Sequence, residues 1–305
     1  MLKNNIRLIE FDLVDNKLTN NPILEKTFKY HLIHCAASVN LGNNSAAEEE
    51  IKQSNYLGTI HLIDSLLPHL FKVSYVSTAF SSGHRSGVIE ESFLLKKSGE
   101  YRNPFEGYKA QTEKEIVQIC EGYGLQWQIF RPSIICGRLL DYPKFVIPKF
   151  LVFYLFGTFF YRTKTNFSGQ PIRITINSES GLNIIPVDYA SKAMVRALNT
   201  DIKELNIASE ESLPNTYAIP TMLKQIGWDN FQFTDVIPED QNMIEKLYYK
   251  TVNPQLHHYL VTPNHSFNVD LLNELMHDIP TPKVKDFYPE LVDFAINHEF
   301  NNLFA

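Results

Sequence analysis

Lys72-Val73-Ser74-Tyr75-Val76-Ser77-Thr78, a helical stretch from near Asn103 to Glu121, and Gln126-Trp127-Gln128-Ile129-Phe130-Arg131 read as strand, helix, strand. Gly122-Tyr123-Gly124 supplies the helix stop and Pro132 halts the second strand. Strands alternating with helices at this spacing build a parallel sheet with crossover helices. Working outward, His31-Leu32-Ile33-His34-Cys35-Ala36-Ala37 is a further strand closing on small residues, and Ile6–Leu13 another with Asp12 near its end. Between Ala46 and Leu70 the apolar residues Ile51, Leu57, Ile60, Ile63 and Leu67 step mostly by three and four, which predicts a helix. Downstream the alternation breaks from about Leu139 to Asn177. It resumes with Ile184-Ile185-Pro186-Val187-Asp188 and a helix over Tyr189–Leu198, for which Asp188 is the expected N-cap. Ile219–Ile226, Gln241–Thr251, Val269–Met276 and Tyr288–Glu299 also read as helices, and no internal repeat is present.

The composition narrows the function classes. The 305 residues are 44% hydrophobic and 20% charged, which excludes a disordered chain. Lys plus Arg number 28 against 34 Asp plus Glu, a net charge of −6 without any basic run, so nucleic acid is not an expected partner. Cys35, Cys120 and Cys136 lack the pairing of a disulfide framework or a zinc site, and read as small buried residues in a reducing, cytoplasmic setting. The start, Met1-Leu2-Lys3-Asn4-Asn5-Ile6, carries no apolar signal core. The apolar run Phe150–Tyr161 is too short to span a bilayer, which takes about 20 residues. It reads first as core of a substrate region, with an acyl-chain wall or a peripheral membrane contact as the alternatives.

Seven short motifs fall in one order: Asp12-Leu13; His34-Cys35-Ala36-Ala37-Ser38; Asn55-Tyr56-Leu57-Gly58-Thr59; Tyr75-Val76-Ser77-Thr78-Ala79-Phe80; Asn103-Pro104-Phe105-Glu106-Gly107-Tyr108-Lys109; Arg131-Pro132-Ser133-Ile134-Ile135-Cys136-Gly137; and Ile185-Pro186-Val187-Asp188-Tyr189. The series resembles the extended short-chain dehydrogenase/reductase superfamily, and within it most the fatty acyl-CoA reductase (male sterility) and thioester reductase branch. The resemblance is clearest from residue 6 to about 199. It implies an α/β Rossmann-like doubly wound parallel sheet over 1–138 and 178–208, with a smaller α+β substrate or cap region over 139–177 and 209–305. It also implies NADP or NAD as cofactor. Asp12 and Leu13 would stand at the adenine, Ala36 and Ala37 where the backbone meets the cofactor, and Asn55, Lys109, Pro132 and Ser133 along the rest of it. The chemistry asks for a hydroxyl that polarises the substrate carbonyl, a tyrosine that exchanges its proton, and a lysine four residues later on the same helical face. Thr78 matches the hydroxyl and Lys109 the lysine.

Two departures stand out. The tyrosine position, 105, is phenylalanine, which has no proton to exchange; Tyr108, one residue before the lysine, is the weak substitute, offset by about 60° on a helix. Moreover, the first glycine is Gly42, and no G-x-x-G-x-x-G or G-x-G-x-x-G occurs. In the family that loop holds the pyrophosphate at a helix N-terminus. The sequence thus starts at what resembles the family's third strand, and an N-terminally truncated sheet with a misassigned start is the expectation. Strands two and one would lie between strands three and four, so exposed edges and a homodimer through them are expected too.

Other residues read as structural. His31 and His34 lie near a strand without a third ligand, and His257, His258 and His265 read as surface loop residues, so no metal is expected. Asp188 reads as a helix cap and Arg131-Pro132-Ser133 as a strand exit. Three functions follow: an NAD(P)-dependent reductase of acyl thioesters (on CoA or a carrier protein) or aldehydes; a fragment or pseudoenzyme acting by binding; and a nucleotide-sugar epimerase or dehydratase. The wording of the motifs favours the first over the third.

Overall fold

A computed structural model describes residues 11–14, 27–85, 87–92, 100–167, 169–263 and 266–303. Four parallel strands form the main sheet in the order Tyr30–His34, Leu70–Val76, Gln126–Pro132, Glu204–Ile207. Within this sheet spatial order follows chain order, as expected of right-handed crossovers laid down in sequence. The expected strand Ile6–Leu13 falls largely outside the described residues; Phe11–Val14 form a turn in which the Asp12 carboxylate accepts from Val14 N at 2.8 Å.

The segment expected as one helix between Ala46 and Leu70 is helix Ser45–Ile51, a π-helical turn Lys52–Leu57, and helix Gly58–Leu66. Helix Pro104–Gly122 starts on Asn103, whose Oδ1 accepts from Glu106 N at 3.1 Å, with Pro104 in the first turn where no N–H is needed. Its buried stripe is Glu106, Lys109, Ala110, Glu113, Ile116, Val117 and Cys120. That is ordinary three-and-four spacing, but three of the positions carry charge. The apolar half of this stripe packs with Ile63, Val73, Tyr75, Trp127 and Ile129 on one face of the sheet.

The other face is covered by Tyr189, Ala190 and Ala193 of helix Val187–Ala197, and also by Phe267, Val269, Leu272 and Met276. These last residues had been expected in the cap region; the chain returns from the cap to close the sheet. The N-cap is Pro186, and Asp188, expected there, is the second helical residue. Helix Val187–Ala197 begins one residue before it, and its carboxylate accepts from Leu139, Leu140 and Asp141 N at 2.6–3.1 Å. It thereby pins the start of the inserted segment. Gly137 sits at the same corner, where an added Cβ would lie 2.1 Å from Phe145 O, so only glycine fits.

The run Phe150–Tyr161 becomes the first half of helix Phe153–Phe167 and its approach. Phe150, Phe153, Tyr154, Phe156 and Phe160 are buried in the cap core against Met222, Trp228, Tyr248, Tyr288 and Phe300. Its aromatic side chains are therefore spent on packing, worth roughly 1.5–3 kcal/mol each. Among the described residues no helix is long and apolar enough to cross a membrane.

Candidate functional site

The carboxyl ends of the first three sheet strands open into a cleft of ≈ 590 Å³. Its polar floor is Ser77, Thr78, Lys109 and Ser133; Val39, Leu41, Ile147, Leu151 and Val152 form apolar walls, and Phe105 and Tyr259 close one side. Ligands of open parallel sheets bind outside the carboxyl ends of the strands, which is where this cleft lies.

Lys109 is the centre of it. Its side chain is 2% exposed, its Nζ donates to Val76 O at 2.8 Å, and it stands 4.6 Å from the centroid of the Tyr75 ring. Burial pushes its pKa down to about 8, with Glu113 and Cys35 pulling the other way. Thr78 caps the short turn Ala79–Ser82, its Oγ1 accepting from Phe80 N at 3.4 Å, which leaves its O–H free to donate among the described residues. Ser77 Oγ and Ser133 Oγ are buried with no hydrogen-bond partner among the described residues. Two orphan hydroxyls in one cleft cost stability unless a ligand bonds them.

The structure brings together Thr78, Lys109, Ala37, Pro132 and Ser133 in this cleft. Phe105 lines it as an apolar face. Tyr108 is not among the lining residues; its ring lies 6.1 Å from that of Tyr56. Ala36 is exposed and outside the lining. Asn55, on the π-helical turn, is buried, and its amide is spent on the backbone of Ser38: Oδ1 accepts from Ser38 N at 2.8 Å and Nδ2 donates to Ser38 O at 2.9 Å. It shapes the loop that carries Ala37, so its contact with any ligand is indirect. Asp12 is exposed, and the backbone of Leu13 lies against Gly58, where a Cβ would be 2.8 Å from Leu13 O. The glycine of the Gly58-Thr59 pair is thus explained by close approach of this turn.

His34 supports the floor from behind. Its Nε2 lies 2.9 Å from Thr59 Oγ1, and the Thr59 hydroxyl proton is committed to Asn55 O at 2.9 Å, so Nε2 is the protonated nitrogen. Burial, then the nearby Lys109 charge, hold its pKa down at about 4. Among the described residues no group of three His, Cys, Asp or Glu side chains could hold a metal.

Tyr259 is one of the lining residues that sequence reasoning missed, with Val39, Leu41 and Ile147. It sits on helix Asn253–Val261, which also carries His257 and His258; these are half-buried helix residues and not the expected loop. Tyr259 OH donates to Glu106 Oε1 at 2.7 Å and accepts from Asn103 Nδ2 at 2.9 Å, tying the cap to the first turn of helix Pro104–Gly122. The Asn253-Pro254 start and the spacing of Leu256, Tyr259 and Leu260 were the available signal.

The residues present fit the nicotinamide and ribose half of a dinucleotide: a lysine, orphan hydroxyls and a small-residue loop in one cleft. For the pyrophosphate half, the described residues hold no glycine loop at a helix N-terminus. Residues 25–194 match the male sterility protein family, a family of NAD-binding domains. None of the curated proteins matches the chain in sequence. Among solved structures, UDP-glucose 4-epimerase from Thermotoga maritima with UDP-glucose is 15% identical, with a TM-score of 0.64 over 97% of this chain and 86% of that one. RMD from Pseudomonas aeruginosa complexed with NADPH is 14% identical, with a TM-score of 0.61 over 93% and 87%. UDP-N-acetylglucosamine 4-epimerase from Methanobrevibacter ruminantium M1 with UDP-N-acetylmuramic acid is 20% identical, with a TM-score of 0.59 over 95% and 83%. At these identities the likeness is one of fold.

Proposed function

The chain belongs to the male sterility protein family, within the extended short-chain dehydrogenase/reductase superfamily, and from that premise we propose that it is an NAD(P)-dependent reductase of aldehydes or acyl thioesters. The observation that carries this reading is the cleft, with a lysine and three hydroxyls on its floor and apolar residues on its walls. Such walls suit an acyl chain carried on CoA or a carrier protein. They would leave the hydroxyls of a sugar unpaired, which weighs against a nucleotide sugar.

NADPH or NADH, when bound, supplies the hydride that reduces the carbonyl. Lys109, Ser133 and the loop at Ala37 would hold its nicotinamide and ribose. Thr78 donates its O–H to the carbonyl oxygen as negative charge develops there. Lys109 keeps a positive charge beside that oxygen and can release a proton near neutral pH, a role that Phe105 cannot fill. A second reading, a protein that binds a ligand in the cleft without turnover, is favoured by Phe105 itself.

Calorimetry of NADPH and NADH with the purified chain, followed by aldehyde-dependent oxidation of the bound form, tests both. Binding with turnover supports the reductase, and binding without turnover selects the second reading. A folded chain that binds neither dinucleotide sinks the first. Solution mass, measured on the same sample, tests self-association through strand Tyr30–His34, which has one strand partner among the described residues and leaves Ile33 exposed.

A further inference from the structure

We propose that Lys109 is a nucleophilic amine that captures aliphatic aldehydes in the cleft as imines, an activity that needs no dinucleotide. Four observations carry it. The amine lines an apolar cleft of ≈ 590 Å³ that can hold a small aldehyde beside it. Its one hydrogen bond among the described residues is to a neutral acceptor, Val76 O. The nearest carboxylate on its own helix, Glu113, is committed elsewhere: Oε1 accepts from Ser81 Oγ at 2.6 Å and Oε2 from Arg131 Nη2 at 2.7 Å. Finally, Phe105, one helical turn before Lys109 and on the same cleft, offers the amine no hydroxyl to bond.

The reaction balances without any further reagent. The nitrogen lone pair attacks the carbonyl carbon, a C–N bond forms, and the carbonyl π pair moves to oxygen. The hydroxyls of Ser77 and Thr78, which directly follow Val76 in the chain, stand on the same floor to receive that oxygen. The nitrogen gives up its protons, the C–O bond breaks, and water leaves with the imine formed. No electrons enter or depart. Lysines desolvated in apolar pockets are activated for this chemistry.

The charge environment agrees. Among the described residues, the titratable groups acting on Lys109 are Glu113 on its own helix, His34 and Cys35 at the end of the first strand, and Tyr75 on the second, while Lys149 and Tyr259 line the same cleft. With its pKa at about 8, roughly one amine in ten is neutral at pH 7. That is a free-amine fraction roughly 200-fold above an ordinary lysine.

The test uses the whole chain without dinucleotide, octanal as probe, and cyanoborohydride to reduce any imine to a stable secondary amine at pH 7. Intact mass and peptide mapping then read where the alkyl group sits. The expected result is labelling at Lys109 at least roughly tenfold faster than at exposed lysines such as Lys246. Labelling that is uniform, or confined to exposed lysines, overturns the proposal, and because the wild-type chain is mapped the result does not depend on a variant folding. Lys109→Arg, checked by circular dichroism, should lose that adduct alone. Trapping shares the cleft with the reductase reading but not its cofactor. Labelling of Lys109 in a chain that binds no NADPH upholds the amine chemistry while the reductase reading falls, and slower labelling with NADPH present supports both.

Discussion

Arg131, on strand Gln126–Pro132, and Lys109, on the helix Pro104–Gly122 packed against the sheet, are both buried cations, and they are treated in opposite ways. Arg131, fully buried, bonds Glu113 at 2.7 Å, Glu204 at 2.7 Å and Glu91 O at 2.8 Å. Burial pulls its pKa down, but Glu113 and Glu204 outweigh it and leave the guanidinium above its ordinary value. Lys109 has a single carbonyl and falls to about 8. Removing a charge from water costs several kcal/mol, and only a full set of partners offsets that. The difference teaches where the fold ends and the candidate site begins: the cation with a full set of partners from the chain ties the chain together, and the under-compensated one lies on the cleft, where the proposed function needs it.

The strongest way to sharpen this contrast is to restore the missing partner. Phe105→Tyr places a phenol four residues before Lys109, and aldehyde reduction in the presence of NADPH should rise by roughly 10²–10⁴-fold, the contribution of a positioned acid. No activity in either chain, with NADPH still bound, would mean that this cleft does not reduce carbonyls; an active parent chain with no gain would mean that Lys109 already supplies the proton. Next is the structural cation. Arg131→Leu strands Glu113 and Glu204 in the interior and should lower the unfolding free energy by about 3–5 kcal/mol in urea titrations. A loss below about 1 kcal/mol would break the comparison.

Lys109→Met should do the reverse, leaving stability at pH 7 unchanged or higher by about 1–2 kcal/mol, because it removes a poorly compensated buried charge. The pH dependence sharpens this further. In the folded chain the ammonium loses its proton near pH 8, and in the unfolded chain near an ordinary lysine value of about 10.4. Between those values the unfolded chain binds more protons, so stability gains a rising contribution from about pH 8 to about 10.4. The Lys109→Met chain should lack that rise, and superimposable pH profiles of the two chains would show that Lys109 is not shifted downward.

Much of the fold was legible because alternation and helix punctuation are local. Leu70–Val76, Pro104–Gly122 and Gln126–Pro132 lie where apolar runs, Asn103-Pro104 and Gly122-Tyr123-Gly124 indicate. Thr78, Lys109 and Ser133 share one cleft as the motif order implies. The helix Asn253–Val261 was harder to read, being short and carrying a His257-His258 pair that reads as polar loop, so Tyr259 went unnoticed. Asn55 shows another limit. Its presence in a motif said that it matters, but only the π-helical turn and the Ser38 backbone reveal that it acts on a loop.

By itself, then, the sequence determined what neighbouring residues settle among themselves: strand and helix order, caps and stops, the family motifs, and the loss of a hydroxyl at Phe105. Tertiary structure decided which buried charge is compensated. Arg131 draws its partners from 18 and 73 residues away, and Tyr259 reaches Glu106 across 153. Whether a buried cation is held by the fold or left for a ligand depends on the sum of such distant contacts, and that sum exists only once the chain has folded.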